Sequence, residues 1–177
     1  EIGIRYYTKA SKIDQLYHQA WFGVGTCLAF KESWLEATHF FKKAIKIDPL
    51  NQTYLNSLAA PEYCLGNSVS AIEIYEQLSQ LDPVKPAVWL DWSRIYYDQG
   101  DHTKALSVVD MGLSEKPDES SYLYRKAVYL LAYGRYKEAM VFLEQALILN
   151  YDGHAQVYDF FEDLTTQKAL FKIIDQY

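Results

Sequence analysis

His18, His39, His102 and His154, with Cys27 and Cys64, are the side chains best suited to ligate a metal or pass a proton. Their spacing supports neither task. Metal-binding pairs recur at short fixed steps, such as Cys-x-x-Cys or His-Glu-x-x-His, so that both ligands leave one turn or helix face toward one ion. No such pair is present. Gly23-Val24-Gly25 has the rhythm of a phosphate cradle, but it lies in a stretch of helical periodicity with no strand before it, so no dinucleotide site is expected. Glu162 and Asp163 are adjacent acids, and neighbours on a helix do not share a face, which predicts a solvated pair and not a catalytic one. No nucleophile–base pair, metal site or cofactor site follows from the sequence, and the expectation is a protein that is not an enzyme.

Composition narrows the classes further. Lys plus Arg number 17 and Asp plus Glu 23 among 177 residues, a net charge of −6. A nucleic-acid partner would call for a basic face, so none is expected. No apolar run approaches the ~20 residues of a membrane span. Cys27 and Cys64 lie in different segments and form no disulfide framework; they predict small buried thiols and a cytoplasmic setting, with the periplasm as the alternative. Asn51-Gln52-Thr53 matches a glycosylation sequon, a weak signal by itself.

The stronger signal lies in the elements that must carry these residues. Ala37, Ala71, Ala105 and Ala139 stand 34 residues apart; Pro49, Pro83 and Pro117 keep the same step, and so do Gly66, Gly100 and Gly134. A fixed period of this length marks an array of one structural unit. In the unit 18–51, Trp21, Val24, Gly25 and Leu28 trace one helix face, and Ala37, Phe40, Phe41, Ala44, Ile45 and Ile47 trace a second. Ser33 is expected to cap the second helix, and Asp48-Pro49 to end it, because the residue before proline is pushed out of the helical region. The glycines fall where each first helix stops, where a left-handed residue is needed. Gly25, Ala59, Ser93 and Ala127 share one place on the first helices, as the four alanines do on the second, so that the two helices of a pair can approach closely.

This pattern resembles the tetratricopeptide repeat. That family's signature places Trp at position 4, Leu-Gly at 7 and 8, Tyr at 11, Ala at 20, Phe at 24, Ala at 27 and Pro at 32. Trp21, Val24, Gly25, Leu28, Ala37, Phe41, Ala44 and Pro49 stand at those places in one unit, and Trp89, Trp92, Ser93, Tyr96, Ala105, Val109, Gly112 and Pro117 in another. The resemblance implies an all-α fold, a right-handed superhelical solenoid forming one domain over 1–177. Its divisions would be a second helix of a truncated repeat at 1–17, repeats at 18–51, 52–85, 86–119 and 120–153, and capping helices at 154–177. Tyr6–Asp14 reads in phase with Phe40–Asp48, and the chain does not open on Met, which leads us to expect a piece of a longer array. The overall flavour is that of bacterial members of unassigned role. Two places depart from the pattern. Pro61 falls inside a first helix, where a kink is expected, with Tyr63 turned inward in place of Glu62. Phe161 and Ile173 sit where small residues belong, as befits an atypical terminal cap.

In this family the first helices line a concave groove. By resemblance, the groove residues here would include Phe22, Thr26, Asn56, Tyr63, Asp91, Arg94, Tyr97, Tyr124, Arg125 and Tyr158, with Glu162 from the cap. Tyr and Arg are the types that dominate interface energetics, although aromatics at helical spacing also serve as packing. The implied function is a non-catalytic scaffold that holds a peptide or helix of a partner protein. A carboxylate clamp for acidic chaperone tails is not expected: neither Phe22, Thr26, Ser57, Ala87 and Asp91 nor Asn56, Ala60, Asp91, Ser121 and Arg125 supplies its Lys, Asn and Arg set. The alternatives are a self-assembly module, through the face of Ile2, Ile4 and Tyr7, and the regulatory portion of a larger enzyme or signalling protein.

Overall fold

Apolar residues spaced at three and four, broken by Gly and by Asp-Pro, produce helices of nearly uniform length. The structure, a computed structural model, describes residues 2–14, 16–161 and 164–176. These hold helices α1 (Ile2–Ile13), α2 (His18–Ala29), α3 (Trp34–Ile47), α4 (Gln52–Cys64), α5 (Ser68–Leu81), α6 (Pro86–Asp98), α7 (His102–Glu115), α8 (Ser120–Ala132), α9 (Tyr136–Leu149), α10 (Ala155–Tyr158) and α11 (Leu164–Ile174), with a 3-10 turn at Tyr151–His154. No strand occurs among the described residues, so the fold is all-α. Contacts divide the chain into two units, 1–83 and 84–177.

Within each unit the fold is built of antiparallel helix pairs closed by one turn geometry. After α4, Gly66 N–H donates to the Tyr63 carbonyl and Asn67 N–H to that of Glu62, both at 2.9 Å. The same pair of bonds closes α6 at Gly100 and Asp101, and α8 at Gly134 and Arg135. This six-residue closure needs a left-handed residue at its hinge, and Gly66, Gly100 and Gly134 take φ of 82°, 77° and 75°. The first pair repeats the closure after α2 with Glu32 at the hinge, at φ 58° and at the energetic disadvantage of carrying a Cβ.

The small residues do what close approach demands. Ala37, Ala59, Ala71, Ser93, Ala105, Ala127 and Ala139 are all fully buried. A Cβ on Gly25 would come within 2.6 Å of the Phe41 ring. Gly112 stands where two other pairs carry Ala44 and Ala146, and a Cβ there would meet the Tyr122 ring at 2.8 Å; the missing methyl makes room for that ring.

Four local expectations need correcting. Ser33 is at the N-cap of α3, but its side chain makes no capping hydrogen bond. Asn51, by contrast, caps α4 through Tyr54 N–H and donates to Asp48 at 2.9 Å, so the sequon amide is already committed. Helix α4 runs on through Pro61, and Glu62 itself turns inward, 1% exposed, while Tyr63 stays half-buried. Lys42 Nζ lies 2.6 Å from Glu62 Oε1, off the angle of a hydrogen bond, and Asn67 donates to Oε2 at 2.9 Å. A buried carboxylate is tolerable on these terms because it is paired. The thiols are not buried: Cys27 is half-buried, Cys64 is exposed, and both are free. The terminal cap is uneven, since its first helix, α10, spans only Ala155–Tyr158.

Candidate protein-binding site

Helices α6 and α8 place the charged and aromatic residues of the second unit together. Arg94 and Arg125 come from different helices, yet both guanidinium groups reach one ring, that of Phe160, with Cζ 4.6 and 4.7 Å from its centroid. Tyr97 stacks on Tyr129 at 4.6 Å and 12°. Both meet Phe160 edge-on, at 5.7 and 6.0 Å. The Tyr129 hydroxyl lies 3.1 Å from Ser93 Oγ, and Arg125 Nη1 donates to the Leu90 carbonyl at 3.0 Å. Arg94 Nε donates to Asp98 at 2.8 Å. The helical step of three to four residues explains the grouping, because Arg94, Tyr97 and Asp98 rise along one stripe of α6, and Arg125 and Tyr129 along one of α8.

Electrostatics follow from this crowding. Burial raises the Asp91 carboxyl above its usual range, and Arg125 opposes the rise; the side chain still keeps an exposed rim. Tyr97 is likewise raised, by burial first, with Arg94 opposing and Tyr129 and Asp98 adding to it. The result is an aromatic patch in which two arginines stand beside two aspartates, Asp98 on Arg94 and Asp91 near Arg125. It holds no nucleophile paired with a base, and no group of three metal-ligating side chains occurs among the described residues.

The ten expected groove residues divide between the two units. In the second unit, Asp91, Arg94, Tyr97 and Arg125 share the patch. Tyr124 does not: its side chain is fully buried, and its hydroxyl donates to the Asn150 carbonyl at 2.6 Å. It is a packing residue that ties α8 to the end of α9. Tyr158 is half-buried with its ring against His154 at 6.1 Å, and its hydroxyl has no protein partner among the described residues. In the first unit, Phe22 packs between Phe41 and Tyr54, at 5.6 and 4.6 Å, and Thr26 turns its hydroxyl back to the Phe22 carbonyl at 3.0 Å. Asn56 is exposed and Tyr63 half-buried. Glu162, and with it the pair Glu162-Asp163, lies outside the described residues.

Phe160 and Tyr129 enter the site although neither was among the expected groove residues. In repeat phase Phe160 belongs to the packed side of a capping helix. It reaches the patch because α10 stops at Tyr158 and the chain turns, with Phe160 N–H 3.5 Å from the Val157 carbonyl. The only signal in the sequence is the loss of the repeat pattern after Gly153.

Comparison with known proteins agrees with this architecture. The family model described as tetratricopeptide repeat matches residues 65–129. A curated relative, Protein CTR9 homolog of Arabidopsis thaliana, is 32% identical over 115 residues, 64% of this chain; the chain spans only 10% of that protein's length. Among solved structures, MamA aligns with a TM-score of 0.74 at 19% identity, over 84% of this chain and 87% of that one. YrrB, described as a TPR protein with an unusual peptide-binding site, aligns at 0.69 and 21% identity, over 88% of this chain and 80% of that one. At these identities the likeness is one of fold.

Proposed function

The chain is a tetratricopeptide-repeat protein, and from that premise we propose that it is a non-catalytic scaffold that binds a short segment of a partner protein on the α6–α8 face. Asp91, Arg94, Tyr97 and Arg125 are the contact residues in this proposal, and the repeat divisions at 18–51, 52–85, 86–119 and 120–153 belong to it. One observation carries it: arginines from two helices converge on one aromatic position, 4.6 and 4.7 Å from its centre. Arg and Tyr in such a cluster are the types from which interface hot spots are made. Tyr offers area and a hydroxyl at little entropic cost. The peptide-binding site attributed to YrrB supports the same use of this fold. On the first unit, Phe22, Thr26, Asn56 and Tyr63 are proposed contacts of lower weight, since Phe22 and Thr26 already serve local packing.

The test is selection from a random peptide library on the whole chain, repeated on Arg94→Glu with helix content verified by circular dichroism. Selected peptides are expected to bind the native chain and to lose at least tenfold on the variant. Equal affinities would remove the α6–α8 face from the site.

A second reading, association of two copies, is favoured by α1, where Ile2 is 73% and Ile13 79% exposed. Light scattering at high concentration decides it: a clean monomer ends this reading.

A further inference from the structure

We propose that the α6–α8 face is specific for an aromatic side chain of a partner segment, and that Phe160 occupies this place in cis, so that a partner binds by displacing the chain's own terminal segment. The inference rests on the binding role proposed above and adds the ligand's chemistry and a self-blocking contact.

The geometry points to a ring. A guanidinium that binds a carboxylate offers it the N–H fork. Here Arg125 Nη1 already serves the Leu90 carbonyl and the Tyr129 hydroxyl, at 3.0 and 3.4 Å, and Arg94 Nε serves Asp98. What both arginines present to Phe160 is charge over a π-face, within the range of cation–π attraction. Guanidinium is weakly hydrated and stacks readily on aromatic rings. The stacked Tyr97 and Tyr129 complete the site by taking the ring edge-on, the favourable complement of ring quadrupoles. None of these contacts uses anything peculiar to residue 160. Any Phe, Tyr or Trp offered from outside meets the same partners.

The segment that carries Phe160 is held on one side by the buried Val157 and on the other by Gln167 Nε2, which donates to the Phe161 carbonyl at 2.6 Å, but its own helical structure is slight. Helix α10 has four residues, and the backbone bond from Phe160 N–H is long at 3.5 Å. A helix this short has little stability of its own. Along the sequence, Tyr158-Asp159-Phe160-Phe161 is rich in aromatic residues, which matches a face built to hold a ring. A bound intramolecular copy lowers apparent affinity for an external one in proportion to the time it spends seated.

The test uses the full chain and one probe, a fluorescein-labelled peptide with the sequence of residues 155–163, alongside a control in which alanine replaces the phenylalanine of position 160. By fluorescence anisotropy the Phe160→Ala chain is expected to bind the probe at least tenfold more tightly than the native chain, and to ignore the control. Adding Arg94→Ala should undo the gain at least fivefold. Equal binding by the native and Phe160→Ala chains, or equal binding of probe and control, overturns the proposal. A second measurement does not depend on the variant's folding. With 4-fluorophenylalanine at position 160 of the otherwise native chain, excess probe is expected to move the fluorine resonance toward its solvent-exposed position, and an unmoved resonance at saturation also overturns the proposal. The peptide-library selection separates the two claims. Arg94-dependent peptides without an aromatic residue leave the binding face standing and remove the ring specificity. A selection that yields no Arg94-dependent peptide removes the face itself.

Discussion

Individual residues in this chain are read correctly only once their surroundings are known. Tyr124 has the type and repeat position of a binding residue, but it is buried, donates to the Asn150 carbonyl at 2.6 Å, and has its hydroxyl pushed up to about 12 by burial and by Tyr151 and Asp152. An unfolded tyrosine ionises near pH ~10. The folded state holds the proton more tightly, so this contribution is fully present below about pH 10 and is lost as pH rises through about 12. Tyr124→Phe should cost about 1 kcal/mol at neutral pH, the worth of one hydrogen bond, and should flatten the alkaline limb of a denaturation series; an unchanged limb would refute this. Glu62 is the converse case, a charge buried where the equivalent Leu28 and Leu130 are apolar. Glu62→Leu should leave stability within about 1 kcal/mol of native or raise it, because a well-packed apolar replacement of a buried ion pair is often neutral or better. Lys42→Ala should be the more harmful change, by about 1–2 kcal/mol, discounted because the Lys42 side chain is 57% exposed. Urea denaturation of both variants checks the order, and the reverse order would mean that Glu62 is held by Asn67 alone.

At the scale of elements, one closure recurs at four helix ends and is imperfect at one. Gly66, Gly100 and Gly134 accept the left-handed hinge without strain, and Glu32 does not. Glu32→Gly should therefore stabilise the chain by about 0.5–1 kcal/mol, the gain from removing a Cβ at positive φ less the entropy of a freer unfolded chain. A rise in Tm of about 1–4 °C in a thermal melt is the expected reading for a chain of this size; no rise would show that the hinge at Glu32 is relaxed in solution. These closures were legible in the sequence because turn chemistry is local: a glycine at a fixed step after an apolar stripe has one conformational use. The four-residue length of α10 was not legible, since the residues after Gly153 keep a helical pattern on paper. The inward place of Glu62 was not legible either. Its burial depends on Lys42 of the preceding helix and on Asn67 after the turn.

For the whole molecule, the uneven distribution of burial predicts uneven stability. Repeat proteins are held by neighbour contacts, and their units open locally. Helix α8 buries Ser120, Tyr122, Tyr124, Ala127, Val128, Tyr129 and Leu130, whereas α1 buries only Ser11 and α10 only Val157. Amide hydrogen exchange should accordingly be slowest in α8 and fastest in α1 and the 155–161 segment, and uniform protection along the chain would contradict this ordering. The low protection expected at 155–161 is also what a displaceable Phe160 requires. The period of 34, the hinge glycines and the small residues between paired helices were determined by the sequence alone, because each depends on residues near one another in the chain or on a pattern copied along it. The patch of Arg94, Arg125, Tyr97, Tyr129 and Phe160 was decided by tertiary structure. Its members come from three segments, up to 66 residues apart from Arg94 to Phe160. Which ring a guanidinium covers, and whether a tyrosine hydroxyl points to solvent or to a carbonyl, depends on where the chain turns after α9, and no local periodicity encodes that.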